Sequence, residues 1–431
     1  MTLTPETRAI GRRNFMKALA GTPALAALGA ASAMKGPVRG GPVRIGFIGV
    51  GGQGRALLRN VNPGFGLVVA MADINPASLQ KADEELAKRT QPPAKHYVEF
   101  RDMLEHENID AVICAVPLWA HADVVTQCFD AGKHVLCEKM MAWDVAGAER
   151  MKAAAQKARK VLEIGYQRHY NPVYLAAYDG VIRKQLLGDV YHVRLAWHRN
   201  GNWRRPGGPP SPDYDPSKWG YPDFEHLWNW RLYFKYSRGL FAELASHQLN
   251  ATNWFLDCAP RSVQASGGVY RFKDGRESYD HEYAIWEYDG GLTATFSSVE
   301  SNAFDERYEA FYGTKATLIM YNEVEALLFE EGKPGAATTV EVSGKAGAAA
   351  LESSETKPAQ AGGGAAQATN AAASAAAGNE RASATEHEIS RFCAAVRVGQ
   401  PVACGPDAAL DSAKSCIAAH EAIAKQAKVT I

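Results

Sequence analysis

The run Val43-Arg44-Ile45-Gly46-Phe47-Ile48-Gly49-Val50-Gly51-Gly52-Gln53-Gly54 decides the fold of this chain. Its first half is a short apolar stretch, its second half spaces glycines as G-x-G-x-x-G, and Ala56-Leu57-Leu58 then opens a helical pattern. Between a strand and a helix, such a glycine turn is built to approach a dinucleotide. Gly49 permits the tight turn, Gly51 lets the backbone come close to a pyrophosphate, and Gly54 lets the helix pack against the strand, with Gly52 and Gln53 completing the turn. A second apolar run, Leu67 to Ala72, ends at Asp73. That spacing suits a carboxylate that binds the ribose 2′-hydroxyl and repels a 2′-phosphate, so the expected cofactor is NAD rather than NADP. Asp73 also suits a helix cap or turn before Pro76.

Upstream, Gly11-Arg12-Arg13-Asn14-Phe15-Met16-Lys17 precedes an alanine-rich apolar stretch from Ala18 to Ala30 and then Ala31-Ser32-Ala33. Twin arginines, an apolar segment and a small-residue cleavage pattern make residues 1–33 resemble a twin-arginine signal peptide. The apolar stretch falls short of the roughly 20 residues that span a bilayer, so a cleaved signal is expected and not a stable membrane insertion. The twin-arginine export machinery is then a partner, and the destination is the periplasm or the exterior.

The chain has 431 residues, 46% of them hydrophobic, enough for a large core divided between two domains. Its formal charge is zero; residues 1–33 hold four bases and one acid, so the remainder carries about −3. Nucleic acid is therefore a poor partner. Seven scattered cysteines, with no CxxC spacing, read as mainly buried thiols, although Cys404 and Cys416 could pair.

Further along, a buried strand from Ile109 to Ala115 leads into Pro117-Leu118-Trp119-Ala120-His121. A helix follows, and then Ala131-Gly132-Lys133-His134-Val135-Leu136-Cys137-Glu138-Lys139. Together with the glycine turn and Gly239-Leu240-Phe241-Ala242-Glu243-Leu244-Ala245-Ser246-His247, these motifs resemble the Gfo/Idh/MocA family of sugar and inositol oxidoreductases. The resemblance implies an N-terminal Rossmann domain (34–164). It also implies a C-terminal α+β domain with an open, largely antiparallel sheet (165–333 and 379–431).

By that resemblance Glu138 and Lys139 close a strand beside the nicotinamide, and Lys139 touches both the cofactor ribose and the reacting hydroxyl. Pro117, His121 and Gln167 join the cofactor site, while Tyr166 and Arg168 sit near the substrate, most closely as in glucose-fructose oxidoreductase. Met140 stands where the family usually has proline, and Glu243 where it has aspartate. Without the resemblance, Glu138-Lys139 is a surface ion pair and Tyr166 a core ring. Glu243 and His247 share a helix face at i, i+4, which fits His247 as general base with Glu243 orienting it. A plain helix contact fits the same spacing, as does a metal ligand pair, although no HxH or HExxH motif supports metal.

The segment Trp197-His198-Arg199-Asn200-Gly201-Asn202-Trp203-Arg204-Arg205, followed by a Gly/Pro/Ser loop and Trp219, Tyr221, Trp228 and Trp230, is rich in aromatics and hydroxyl-binding donors. Trp197, Arg199, Trp203 and Arg204 are accordingly expected on a glycan-facing rim, the alternative being a loop tacked down by its rings or a subunit interface. Residues 334–378 are Ala/Gly/Ser-rich and can bury little. The expected chemistry is hydride transfer between NAD and a secondary hydroxyl of a sugar or glycoside, in a homo-oligomer. Outside the cytoplasm no nicotinamide pool exists, so the cofactor must be tightly held and regenerated in place. Three routes do this: a second substrate, an exported redox partner, or a redox-neutral glycosidase cycle of oxidation, elimination, hydration and reduction. A carbohydrate-binding protein that keeps NAD without catalysis is the contrasting class.

Overall fold

The computed structural model describes residues 3–20, 40–333 and 384–431, together with the backbone of 342–345 and 348–351. Six strands, β1 (Val43–Ile48), β2 (Gly66–Ala72), β3 (Lys95–Tyr97), β4 (Ala111–Cys114), β5 (His134–Glu138) and β6 (Leu162–Gly165), form one sheet. They lie in the order β3-β2-β1-β4-β5-β6 and every pair is parallel. This is the doubly wound Rossmann order, which opens a crevice where the winding reverses between β1 and β4. Apolar runs such as Val43, Ile45, Phe47 and Ile48 are buried because helices cover both faces of a parallel sheet. The glycine turn closes tightly: Gly49 has φ +85°, and a Cβ added at Gly54 would stand 2.0 Å from the Gly49 carbonyl oxygen.

The second sheet contains β7 (Val190–His198), β8 (Ser262–Gly268), β9 (His281–Glu287), β10 (Thr293–Val299), β11 (Arg307–Gly313), β12 (Ala316–Tyr321) and β13 (Glu325–Glu330). Residues Val429–Thr430 add a short edge strand beside β8. The order is β13-β12-β11-β7-β10-β9-β8 before that edge, and only β7 and β10 run parallel. One face packs against helices Ser246–Leu256 and Pro406–Lys425, where the Trp286 indole donates to the Ser415 carbonyl at 3.1 Å.

One boundary differs from the sequence expectation. The segment 379–431 was assigned whole to the second domain, yet the helix at 384–398 buries Ile389, Phe392 and Cys393 with Val43, Ile45 and Phe47 in the core of the first. The chain thus crosses into the second domain and returns to finish the Rossmann core. At the other end, Pro5–Leu19 forms a helix started by the Thr4 hydroxyl, which accepts from Thr7 N. Gly11 lets it approach Phe329 closely, Arg8 and Arg12 reach Glu325 at 3.3 and 3.0 Å, and Leu19 is buried against Gly180. The twin-arginine segment therefore lies against β13. The rest of the expected signal, from Gly21 to Ala33, lies outside the described residues. Of 334–378, only a two-stranded pairing of 342–345 with 348–351 is described.

None of the seven cysteines is in a disulfide, and Cys404 and Cys416 are separate buried thiols. Among the described residues no helix is long and apolar enough to cross a membrane.

Candidate active site

The ends of β1, β4 and β5 and the aromatic insertion enclose a cavity of about 1040 Å³. From the first domain come Gly49, Gly51, Gly52, Gln53, Asp73, Pro117, His121, Glu138 and Lys139; from the second come Gln167, Trp197, Arg199, Trp203, Glu243 and His247. Gly54 stands behind this lining, pressed on the strand, whereas nothing lies within 4 Å of a Cβ built on Gly51 or Gly52. The turn is thus closed toward the sheet and open toward the cavity, as a dinucleotide cradle requires.

Hydrogen bonds fix the first-domain wall. Asp73 accepts from Val50 N and Asn75 N, both at 2.8 Å. Burial raises its pKa to about 6, partly offset by those amides and by Arg55. Gln53 donates to Glu138 at 2.7 Å, and the other oxygen of Glu138 accepts from Lys139 N at 3.1 Å, linking the glycine turn to the end of β5. His121 is buried, with ring nitrogens 2.9 Å from the Met140 carbonyl and 3.0 Å from that of Val116. Burial lowers its pKa against the pull of those carbonyls, and the ring's contacts tie the end of β4 to the Lys139–Met140 segment. The Lys139–Met140 peptide is cis.

Lys139 Nζ donates to the Glu243 carbonyl at 3.0 Å and lies 3.5 Å from its carboxylate. Arg231, which the sequence reading did not single out, donates to that same carboxylate oxygen at 2.9 Å. Burial acts to raise the Glu243 pKa, but Arg231 and Lys139 overcome it and lower it to about 2. Glu243 is therefore a fixed anion between two cations. Residues Phe241–Ala245 form a π-helical turn that runs into the helix Ser246–Leu256, so the α-helical i, i+4 geometry expected for Glu243 and His247 is replaced by a wider turn. Both side chains still face the cavity. His247 is held between two rings, with Tyr166 edge-on and Trp197 tilted, each centred 5.9 Å away.

Three expected substrate contacts lie elsewhere. Arg168 is fully buried and donates to Glu323 at 2.9 and 2.8 Å and to Glu309 at 2.7 Å, a strand-bracing role behind the cavity. Tyr166 is core and acts on the site through His247. Arg204 turns away to Glu225 and Asp274, and its neighbour Arg205 takes the place on the cavity wall. Glu388 and Thr385, from the returning helix, also line it. Long-range pairing and one-residue alternation hid these placements; for Arg231 the local signal was the run Trp228-Asn229-Trp230-Arg231. Among the described residues no group of three His, Cys, Asp or Glu is arranged to hold a metal.

The family model described as an oxidoreductase family with an NAD-binding Rossmann fold matches residues 43–166, and the GFO/IDH/MocA C-terminal domain matches 177–319. This chain belongs to the Gfo/Idh/MocA family. Among its relatives, an inositol 2-dehydrogenase/D-chiro-inositol 3-dehydrogenase of Lactiplantibacillus plantarum is 30% identical over 35% of this chain and 43% of its own. A glycosyl hydrolase family 109 protein of Shewanella baltica is 28% identical over 38% of this chain and 39% of its own. The chain thus matches less than half the length of these curated relatives. The WlbA dehydrogenase from Bordetella pertussis, solved with NADH and UDP-GlcNAcA, superposes with a TM-score of 0.68 at 18% identity, covering 92% of this chain and 99% of that one. The scyllo-inositol dehydrogenase from Lactobacillus casei, solved with NAD(H) and scyllo-inositol, gives 0.63 at 18% identity, covering 90% and 99%. As a Gfo/Idh/MocA protein, the chain carries the NAD-binding Rossmann fold of an oxidoreductase family.

Two outcomes follow from this wall. Arg168→Leu removes the cation paired with buried Glu309 and leaves buried Glu323 with Arg307 alone at 3.7 Å, so unfolding free energy falls by about 3–5 kcal/mol; thermal or denaturant unfolding reads it, and an unchanged midpoint contradicts the bracing role. Above pH 6 the charged Asp73 repels a 2′-phosphate, whereas below it protonation removes that charge. The NAD-over-NADP preference, measured as a ratio of dissociation constants, therefore narrows as pH falls from 7.5 to 5, and Asp73→Asn abolishes the slope.

Proposed function

We propose that this chain is an exported oxidoreductase moving a hydride between tightly held NAD and a secondary hydroxyl of a sugar or glycoside. The observation that carries the reading is that Lys139, Glu243 and His247 share one cavity with the glycine turn and Asp73. When bound, NAD supplies the hydride acceptor. The chain's own groups handle the proton and the charge. Lys139, anchored at 3.0 Å to the Glu243 carbonyl, offers an ammonium to the hydroxyl oxygen as negative charge develops there. His247, clamped by Tyr166 and Trp197, takes the hydroxyl proton as general base. Trp203, Trp219, Trp228 and Trp230 on the same wall exclude water and offer faces to the CH patches of a sugar ring. The inositol and nucleotide-sugar ligands of the relatives, all polyhydroxylated rings, support that substrate class.

The test is retention and reduction of NAD. Purified protein is expected to carry dinucleotide and to show reduced nicotinamide when sugars or glycosides are added. His247→Ala and Lys139→Met should keep the nucleotide while losing about 10²–10⁴ in kcat. Protein that lacks bound dinucleotide overturns the reading, and wild-type protein that binds sugar without nicotinamide reduction is instead a binding protein. Similarity to glycosyl hydrolase family 109 favours one second reading, the redox-neutral glycosidase cycle. Product mass separates the two: a keto-sugar or lactone means net oxidation, whereas a released aglycone with unoxidised sugar means hydrolysis.

The export part rests on Arg12 and Arg13 ahead of the alanine-rich stretch. Replacing both with lysine should trap folded, nucleotide-bearing protein in the cytoplasm. Unchanged periplasmic recovery of this variant removes the twin-arginine route.

A further inference from the structure

The second-domain wall of the cavity is electrically lopsided. Between residues 165 and 333 it presents Arg199, Arg205, Lys218 and Arg231 against one carboxylate, Glu243. The other acids on the lining, among them Asp73, Glu138 and Glu388, belong to the Rossmann half, on β2, on β5 and on the helix that packs into that core. Glu243 is already shared by Arg231 and by Lys139 from across the cavity. Arg199 is matched by Glu300 behind it, at 2.6 Å. Arg205 has no carboxylate within ion-pair reach among the described residues.

Its position is nevertheless built. Asn229, itself buried, accepts from Arg205 N at 2.7 Å and donates to the Arg205 carbonyl at 3.4 Å. A further bond from Asn229 to Glu225 at 2.8 Å fixes the amide. Asn229 directly precedes Trp230 and Arg231, so one residue sets the backbone on both sides of the pocket mouth. The residue as a whole is exposed, but burial against the cavity wall, with Arg231 close by, lowers its pKa to about 10 despite the opposing pull of Glu243. A cation held in a positive field without a partner is favoured only when the occupant brings negative charge.

We propose that Arg205 is the receptor for an anionic group on the substrate, so that the preferred sugar is an acidic one, bearing a carboxylate. The inference rests on the oxidoreductase reading above and narrows it. The planar fork of arginine suits a carboxylate, with two parallel N–H···O bonds, and an ammonium at this place does not reproduce that geometry. An anion from a second source, the dinucleotide's own pyrophosphate, would satisfy the same charge, since Arg55 beside the glycine turn is among the charges Arg205 feels.

The experiment measures binding and turnover on the full-length nucleotide-bearing protein, with glucuronate and galacturonate set against glucose and galactose, for wild type, Arg205→Ala and Arg205→Lys. Calorimetry or thermal shift gives sugar and NAD affinities independently of activity. Expected are tighter binding of the acids by wild type, a loss of roughly tenfold to a hundredfold for the acids alone in Arg205→Ala, and only partial rescue in Arg205→Lys. A salt dependence confined to the acids accompanies this. Weakened NAD affinity with unchanged acid-to-neutral preference assigns Arg205 to the pyrophosphate and overturns the proposal. Nicotinamide reduction by neutral sugars alone overturns it while leaving the oxidoreductase reading intact, and reduction by none of the sugars overturns both.

Discussion

The site depends on one buried carboxylate. Glu243 sits between Arg231, from the aromatic insertion, and Lys139, just past the end of β5, and so joins the two domains through charge inside the cavity. Taking a carboxylate out of water costs several kcal/mol, and its partners recover this only when their geometry is good. The low pKa of about 2 shows that here the cations win. Such a triad is weak evidence for stability and good evidence for position. The lysine ammonium meets a carbonyl and a carboxylate of the same residue, so one side chain and its own backbone hold it.

Around that anion the remaining parts fall into two rigid halves. Gln53 and Glu138 tie the glycine turn to the end of β5, next to Lys139, so the turn and the Lys139 ammonium are held on one hydrogen-bonded wall. On the facing side, Asn229 fixes Arg205 while Tyr166 and Trp197 fix His247. Arg168 with Glu309 and Glu323 braces the sheet behind.

Much of the first half was legible because its signals are local. The Gly49–Gly54 turn and Asp73 declare themselves within about 30 residues, and Lys139 and His247 are found by motif spacing. What sequence could not show was pairing at a distance. Arg168 meets its partners 141 and 155 residues later, so it read as a free donor near the substrate. Arg204 and Arg205 are adjacent and chemically alike; only the fold decides which of them faces Glu225 and which faces the cavity. The π-helical turn at Phe241–Ala245 has no composition of its own, and the docking of Pro5–Leu19 depends on β13, more than 300 residues away. The helix at 384–398 looked like any other amphipathic helix, and its choice of domain was set by packing against β1.

That helix has a consequence for the order in which the protein is made. A ribosome adding roughly 5–20 residues per second releases β1 and its glycine turn early. Their core, however, is completed by Ile389, Phe392 and Cys393, and their cofactor wall by Thr385 and Glu388. Until the helix at 384–398 is made, with most of the second domain already out, the Rossmann sheet therefore waits with apolar surface uncovered, and the pocket gains its final wall only when about nine-tenths of the chain has emerged. The domain that begins first is thus closed only after most of the second has been made, and secure holding of a nucleotide waits for the helix at 384–398.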